Sequence, residues 1–242
     1  MNRKRTRGFS QLSALLINYY YNAVAGNHAM VEIGIGGAGP HIVYRECLDP
    51  KIPVIGVDRI TPGNFKTPKE KQNYESVMNN TPRDNLHFYW GMSGYDFGVS
   101  ETLAQTWGKF GIVIDDGSPT YGSLYGINGW KQFMDASGII ISEHPFGNGV
   151  TLPWNIYQDK QECQYALEYS SELNEMVIID CHDFMYNVPN TSNSSFDFPI
   201  PYMGIWMKDW DSFRKHKTNA GVKTAWRLFE ERIVAGRQYY DA

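Results

Sequence analysis

The feature that most constrains the fold of this chain is a series of short apolar runs, most of them rich in isoleucine and valine. Five such runs occupy residues 30–36, 53–57, 86–90, 110–114 and 138–142. Their apolar residues are nearly continuous, which is typical of strands buried on both faces of a parallel sheet. The stretches between them are long enough for helices, which are predicted over 38–47 and 68–80. The pattern therefore predicts a doubly wound α/β fold.

The second half of the chain predicts a change of strand direction. Residues 176–181 and 202–207 have the composition of two further strands, with no clear helix between them, and an antiparallel edge pair is expected. The connecting segment is rich in Asn, Ser and Pro, which predicts a long loop near 184–200. Residues 211–240 predict a helical region. The expected sheet has seven strands, six parallel and the last antiparallel.

The first 27 residues predict a basic tail followed by an amphipathic helix. Apolar residues recur there at helical spacing: Leu12, Leu15, Leu16, Tyr19, Tyr20 and Ala23. The alternative is a cleaved signal peptide, but Asn18 and Asn22 interrupt the apolar run. Residues 28–242 are expected to form a single domain, because no linker or internal repeat divides them.

Composition and charge exclude several classes of protein. The chain has 242 residues, of which 42% are apolar and 20% charged, as in ordinary globular domains. The net charge of −4 argues against a general nucleic-acid surface. Three widely spaced cysteines fit a reducing compartment better than a disulfide framework. On the cysteine pattern we expect a cytoplasmic protein, and since no run of 18 apolar residues occurs, no membrane span is expected.

The polar residues of interest follow the predicted strands, where open parallel sheets bind their ligands. The first strand ends in Glu32-x-Gly34-x-Gly36-Gly37-x-Gly39, and glycines there allow a tight turn and close approach of a ligand. The second strand ends at Asp58, 22 residues after Gly36. A carboxylate at that place can accept hydrogen bonds from both hydroxyls of a ribose. The combination indicates a cofactor that contains a nucleoside.

Two classes of cofactor compete for this glycine turn. Gly34-x-Gly36-x-x-Gly39 satisfies the dinucleotide fingerprint as a string. However, an acidic residue two positions before the first glycine, here Glu32, is typical of S-adenosylmethionine sites. At this point both classes remain open.

The motifs resemble those of class I S-adenosylmethionine-dependent methyltransferases. Glu-x-Gly-x-Gly followed by Val-Ile-Gly-Val-Asp58 is similar to the first two motifs of that family. The segments IVIDDGSPTYG and WKQFMDASGIIISEHPFG resemble a subgroup that includes macrolide-sugar O-methyltransferases and cephalosporin-hydroxylase-type proteins. The resemblance covers residues 28–146 and implies a Rossmann-like fold. It implies the following cofactor-binding residues: Glu32, Gly34, Gly36, Gly39, Asp58, Met92, Ser93 and Asp115.

The resemblance also implies a divalent metal, Mg or Mn. In the subgroup the metal is bound by an acid of the Asp-Asp pair, here Asp115 or Asp116, and by acids that end the fifth strand. Glu143 matches one of these acids, and His144 stands in place of the other. A histidine ligand shifts the preference from magnesium toward manganese, iron or zinc. The implied metal ligands are Asp116, Glu143 and His144.

One departure concerns the catalytic base. Where the subgroup has a histidine after Gly-Ser, this chain has Pro119, which cannot transfer a proton. His144, Tyr121 and Asp116 are the candidate substitutes. Alternatively, the metal alone lowers the pKa of the acceptor hydroxyl.

The resemblance implies methyl transfer from S-adenosylmethionine to an oxygen of a small molecule or sugar. Three alternatives remain. Pro119 keeps open a non-catalytic S-adenosylmethionine-binding protein. A cap-type ribose methyltransferase would use Asp115 and Glu143, but no convincing first lysine lies near residues 8–20. The dinucleotide fingerprint keeps open an NAD-dependent oxidoreductase. A homo-oligomer that associates through the N-terminal helix is also expected.

Overall fold

A computed structural model of the chain describes residues 15–35, 48–65, 67–79, 85–116, 128–142, 176–180, 202–216 and 223–235. The first helical segment covers 15–18 and continues as a π-helical turn over Tyr19–Ala23. The strands of the described part are β1 Ala29–Ile33, β2 Val54–Asp58, β3 Leu86–Trp90, β4 Phe110–Asp115, β5 Met134–Ser142, β6 Val177–Asp180, β7 Tyr202–Met207 and β8 Ile233–Ala235. The helices are α1 Pro68–Asn79, α2 Phe97–Trp107, α3 Trp210–Lys215 and α4 Lys223–Glu230, and a 3-10 turn, Lys131–Phe133, precedes β5.

All eight strands belong to one sheet, in the order β3-β2-β1-β4-β5-β7-β6-β8. The pairs β1–β2, β1–β4, β2–β3 and β4–β5 are parallel, whereas β7 is antiparallel to both β5 and β6. Strands β1 to β6 therefore run in one direction, and β7 and β8 run against them. This confirms the predicted α/β fold with six parallel strands and an antiparallel seventh, to which the structure adds an antiparallel eighth strand. The strand order reverses between β1 and β4, which is where such sheets bind ligands.

Two predictions about the second half of the chain are wrong in detail. The strands β6 and β7 pair antiparallel as predicted, but they do not form the edge of the sheet, because β8 pairs with the outer side of β6 and is itself the edge strand. Residues 233–235, predicted to be helical, form β8 and pair with β6. A run of three apolar residues is too short to show whether its period is that of a helix or of a strand. These residues form a strand because they can pair with the edge of β6. The helix predicted at 38–47 and the loop predicted near 184–200 lie outside the described residues.

Two strand boundaries also differ from the prediction. β1 ends at Ile33 rather than at residue 36, because Gly34 has a φ of 84°, which leaves the strand conformation. β5 begins at Met134 rather than at residue 138, and its pairing with β4 shifts register in this added stretch. Both differences lie at strand ends, where the apolar pattern carries least information.

Alternate residues of the central strands build two cores, one on each face of the sheet. On one face Met30, Ile112 and Ile141 pack with the first helical segment and with α3 and α4. On the other face Val31 and Val113 pack against α2. Because both faces are covered, every residue of β1, β2 and β4 is buried, which explains their continuous apolar runs.

The first helical segment shares a core with the sheet. Within the predicted stripe, Leu15, Leu16, Tyr19 and Tyr20 are all buried. A Cβ atom placed on Gly26 or on Gly111 of β4 would overlap the ring of Tyr20. The domain boundary predicted at residue 27 stays a prediction. The ring of Tyr20, which precedes it, is in close contact with β4.

The hydroxyl of Tyr20 belongs to a small polar network at the amino ends of the strands. It donates to Oδ2 of Asp135 at 3.3 Å, and Nε2 of His28 lies 3.4 Å from Oδ1 of the same carboxylate. Tyr21 donates to the carbonyl oxygen of His28 at 3.0 Å. This network lies at the end of the sheet opposite to the predicted ligand site.

Among the described residues, no helix is both long enough and apolar enough to cross a bilayer.

Candidate functional site

The candidate site lies at the carboxyl ends of the parallel strands. In register across this edge, Val57 of β2 pairs with Ile33 of β1, Ile33 with Asp115 of β4, and Asp115 with Ser142 of β5. One residue beyond Val57, β2 ends at Asp58. The acids Asp58 and Asp115 thus stand on the two strands that flank β1, on either side of the switch point.

The turn after β1 has the close packing that its glycines predict. The N–H of Gly34 donates to the carbonyl oxygen of Val57 at 2.8 Å. Gly34 has a positive φ, which glycine adopts readily. Beyond it, Ile35 folds back over β2. A Cβ atom on Gly56 would lie 2.5 Å from Cδ1 of Ile35, so the second strand also needs a glycine.

Glu32 is buried directly below this turn. Its side chain is 0% exposed and its backbone lies in register between Gly56 and Ile114. Glu32, Gly56 and Asp58 lie on the same face of the sheet, because Glu32 is in register with Gly56 and alternate residues of β2 share a face. The acid that precedes the glycine turn therefore lies inside the protein, next to the turn, and is not part of the solvent-exposed surface.

The carboxylate of Asp58 is held in place at the end of β2. Its side chain is 7% exposed, and Oδ1 accepts the N–H of Ile60 at 2.9 Å. Its carbonyl oxygen accepts the N–H of Met92 at 3.1 Å, which ties the segment after β3 to β2. A local turn of this kind restricts the rotamers of an aspartate.

Aromatic side chains lie next to Asp58. Trp90 of β3 is in register with Asp58, and its ring stacks on that of Phe88 with 5.7 Å between centroids. Tyr74 of α1 packs edge-on against Trp90 at 5.0 Å, and Phe65 packs on Tyr74 at 5.4 Å. We call Phe65, Tyr74, Phe88 and Trp90 the aromatic wall. It gives this side of the site a largely apolar surface beside a carboxylate.

The acids at the end of β4 are also fixed by neighbours. Asp115 is 3% exposed and its Oδ1 accepts the hydroxyl of Tyr95 at 2.6 Å. Asp116 is half-buried, and its N–H donates to the carbonyl oxygen of Ile33 at 2.9 Å. This bond holds the end of β4 against the end of β1, where the glycine turn begins.

The structure brings seven of the residues proposed from the sequence to one edge of the sheet. These are Glu32, Gly34, Asp58, Met92, Ser93, Asp115 and Asp116. The other proposed residues, which are Gly36, Gly39, Tyr121, Glu143 and His144, lie outside the described residues, as does Pro119.

Only part of the predicted metal site therefore belongs to the described residues. In the described ranges, no group of three or more His, Cys, Asp and Glu side chains is arranged to hold a metal ion. Of the three implied ligands, Asp116 alone belongs to those ranges.

Several residues of the site could not be recognised from the sequence. Tyr95 reaches Asp115 across 20 positions of sequence, and no motif indicates that contact. Gly94 lies against Ile33, and Trp130 donates from Nε1 to the carbonyl oxygen of Gly94 at 2.9 Å. The only signal for the aromatic wall was the Phe-Tyr-Trp run at the end of β3.

Comparisons with known proteins give a structural result only. No protein-family model matches the chain, and no curated protein matches it in sequence. Similarity is found among solved structures, at low sequence identity.

Three of these structures illustrate the range. A putative hemolysin from Lactococcus lactis has 11% identity and a TM-score of 0.50, over 86% of this chain and 91% of that one. A putative caffeoyl-CoA O-methyltransferase from Staphylococcus aureus has 13% identity and a TM-score of 0.48, over 83% of each chain. The MycE methyltransferase of the mycinamycin biosynthetic pathway, in complex with Mg and SAH, has 12% identity and a TM-score of 0.44, over 82% of this chain and 48% of that one.

The chain spans about half the length of the MycE chain that it matches. At these identities the comparisons concern the fold and not the reaction. Together with the strand order β3-β2-β1-β4-β5-β7-β6, the similarity to the L. lactis structure shows that the chain has a Rossmann-like α/β fold, and methyltransferases are among the solved structures similar to it.

Proposed function

We propose that this protein is an S-adenosylmethionine-dependent methyltransferase that methylates an oxygen of a small molecule or sugar. The observation that carries the proposal is the position of buried Glu32, the Gly34 turn and the fixed carboxylate of Asp58 at the point where the strand order reverses. The strand order and the structural similarities support the fold. The motif resemblance supports the cofactor.

The described residues of the site fit the nucleoside part of this cofactor. The positive φ of Gly34 allows the backbone of this turn to approach a ligand closely, while Ile35 covers Gly56. Asp58 is held at the end of β2 by the N–H of Ile60, and a carboxylate is a suitable acceptor for the hydroxyl groups of a ribose. The aromatic wall offers an apolar face for the adenine beside Met92 and Ser93.

Bound S-adenosylmethionine supplies an electrophilic methyl group to an acceptor oxygen. The part of the chain is to hold that oxygen in line with the methyl group and to remove its proton. Of the candidate bases His144, Tyr121 and Asp116, the described residues include Asp116, half-buried at the end of β4 beside the turn. We propose Asp116 as the group nearest to the reaction among the described residues.

The metal and the partners are proposals that rest on the resemblance. Asp116 with Glu143 and His144 would hold Mg or Mn, and such an ion lowers the pKa of a bound hydroxyl. The net charge of −4 favours a small-molecule or sugar acceptor over nucleic acid. A cytoplasmic homo-oligomer is the proposed working state.

The decisive experiment is calorimetric titration of the protein with S-adenosylhomocysteine, with and without Mg or Mn, and separately with NAD. Binding of S-adenosylhomocysteine supports the proposal. Asp58→Asn should weaken that binding by about tenfold or more, since a hydrogen bond to a charged group contributes about 1.5–3 kcal/mol. The matched control, Asp96→Asn, changes an exposed residue that makes no side-chain cap on α2 and should leave affinity unchanged.

The other outcomes separate the alternatives. Binding of NAD in preference to S-adenosylhomocysteine would refute the proposal and favour an oxidoreductase. Binding of S-adenosylhomocysteine without turnover of any acceptor pool would favour the non-catalytic protein. Heat that requires a metal, and that is lost in Asp116→Ala, would support the metal site.

A further inference from the structure

The segment between β3 and α2 crosses the carboxyl edge of the sheet from β2 to β4. We call residues 91–96 the β3–α2 loop. Near its start, the N–H of Met92 donates to the carbonyl oxygen of Asp58 at 3.1 Å. Three residues later, the hydroxyl of Tyr95 donates to Oδ1 of Asp115 at 2.6 Å. One short loop thus contacts both acids that flank the switch point.

The loop is held in place independently of Asp115. Gly94 lies against the last residue of β1, since a Cβ atom there would be 2.5 Å from Cγ2 of Ile33. The carbonyl oxygen of Gly94 accepts Nε1 of Trp130 at 2.9 Å, and Trp130 is 0% exposed. The backbone next to Tyr95 is therefore anchored to β1 and to a buried indole. The phenol of Tyr95 therefore contacts Asp115 from a backbone segment that is held in place.

The contact itself is of the strong kind. A distance of 2.6 Å is in the range of a hydroxyl that donates to a charged carboxylate, and such bonds are about twice as strong as neutral ones. Asp115 is nearly buried, so water competes little for its oxygens. The bond restricts the rotation of the carboxylate.

We propose that Tyr95 is a positioning residue for the amino-acid end of the cofactor, an inference that rests on the proposed function. A ligand that places its ribose at Asp58, on the β2 side of the turn, extends past β1 toward Asp115, on the β4 side. The amino-acid end of S-adenosylmethionine carries an ammonium group, and a fixed, nearly buried carboxylate is its natural complement. Tyr95 orients Asp115 to accept that ammonium group.

The test compares two ligands that differ at this end. S-Adenosylhomocysteine has the amino-acid group, whereas 5′-methylthioadenosine has the same nucleoside and sulfur without it. Calorimetric titration of the full chain should show that Tyr95→Phe weakens S-adenosylhomocysteine by about tenfold, equivalent to about 1.4 kcal/mol, and leaves 5′-methylthioadenosine within about twofold. The matched control is Tyr89→Phe, which removes a hydroxyl that accepts Nε1 of Trp107 at 2.9 Å, and it should affect neither ligand.

A purely structural role would lower both affinities together, because a displaced loop also disturbs its bond to Asp58. Equal losses for the two ligands, or no loss for either, would overturn the assignment of Tyr95 while leaving the proposed function intact. If the unaltered protein binds neither ligand, the proposed function itself fails and the inference with it.

If Tyr95→Phe does not fold, Asp115→Asn tests the same contact from the other side. It should produce the same selective loss of S-adenosylhomocysteine. Where both variants fold, the double variant should lose less than the sum of the two single losses, because the two residues act through one contact. Strict additivity would contradict the proposal.

Discussion

The aromatic ring of Tyr20 lies directly against the backbone of Gly111. A Cβ atom on Gly111 would overlap two ring carbons and would lie 2.7 Å from the hydroxyl oxygen. Tyr20 is 0% exposed, so its ring is confined on all sides. The close packing of the first helical segment on β4 therefore depends on the absence of a side chain at position 111.

Gly111→Ala should lower the free energy of unfolding by about 1–3 kcal/mol, as expected for overpacking of a dense core. Gly98→Ala is the matched control, because a Cβ atom at Gly98 meets nothing within 4 Å and alanine is favoured in α2. Urea unfolding of both variants measures the difference. Equal effects of the two substitutions would show that Tyr20 can move away from β4.

The start of α3 offers a second paired comparison. Oδ1 of Asp209 accepts the N–H of Ser212 at 2.8 Å, whereas Asp96, at the same position before α2, makes no such bond. Asp209→Ala should cost about 1 kcal/mol of stability, and Asp96→Ala should cost little. Thermal unfolding of both variants tests this, and similar losses would show that the Asp209 cap contributes nothing.

A third prediction concerns the pH dependence of stability. Burial raises the pKa of Asp135, but hydrogen bonds from the backbone of Ala136 and Ser137, the charge of His28 and the hydroxyl of Tyr20 outweigh it, so the pKa is lowered from 3.8. The folded protein then binds this proton less readily than the unfolded chain does. The carboxylate contributes stability above the unfolded pKa, and this is lost as the pH falls through the lower folded value.

The unfolding free energy of the unaltered protein should therefore fall more steeply below about pH 5 than that of Asp135→Asn. Urea unfolding across that range is the measurement. Asp96→Asn, at an exposed position, should follow the unaltered protein. Parallel curves for Asp135→Asn and the unaltered protein would contradict the assignment.

The aromatic wall gives a prediction that differs from that for Tyr95. Trp90→Ala should weaken S-adenosylhomocysteine and 5′-methylthioadenosine alike, by about tenfold, because both contain the adenine that stacks there. Trp107→Ala serves as the control, since Trp107 packs on His87, which alternates with Trp90 and faces the other side of β3. Calorimetry with the two ligands distinguishes the cases. A selective loss of one ligand would place the adenine elsewhere.

The sequence was most informative where burial on two faces leaves a clear apolar pattern. The five runs up to residue 142 correspond to β1 to β5, and Asp58 ends β2 as predicted. β8 was missed because three apolar residues have no distinct period, and its partner β6 is distant in the chain. The positions of the strands could thus be predicted from local sequence, whereas the order of the strands at the edge of the sheet could not.

The site shows the same division. Glu32 and Asp58 belong to motifs read within a few residues, so their positions at the carboxyl edge could be predicted. Tyr95 acts through a contact with a residue on another strand, and Gly56 is required by the later course of Ile35. Contacts of this kind depend on how the elements pack, and a single sequence does not encode them in any local pattern.

The contact of Tyr20 also has a consequence in time. The hydroxyl of Tyr20 bonds to Asp135, which lies 115 positions later in the chain. During synthesis, the first helical segment therefore emerges long before β4 and β5 exist to bury it. Its apolar ring must remain exposed, or be covered temporarily by another surface, until 115 further residues have been made. Such a long-range contact slows folding, and it makes the unfinished chain prone to association through this segment.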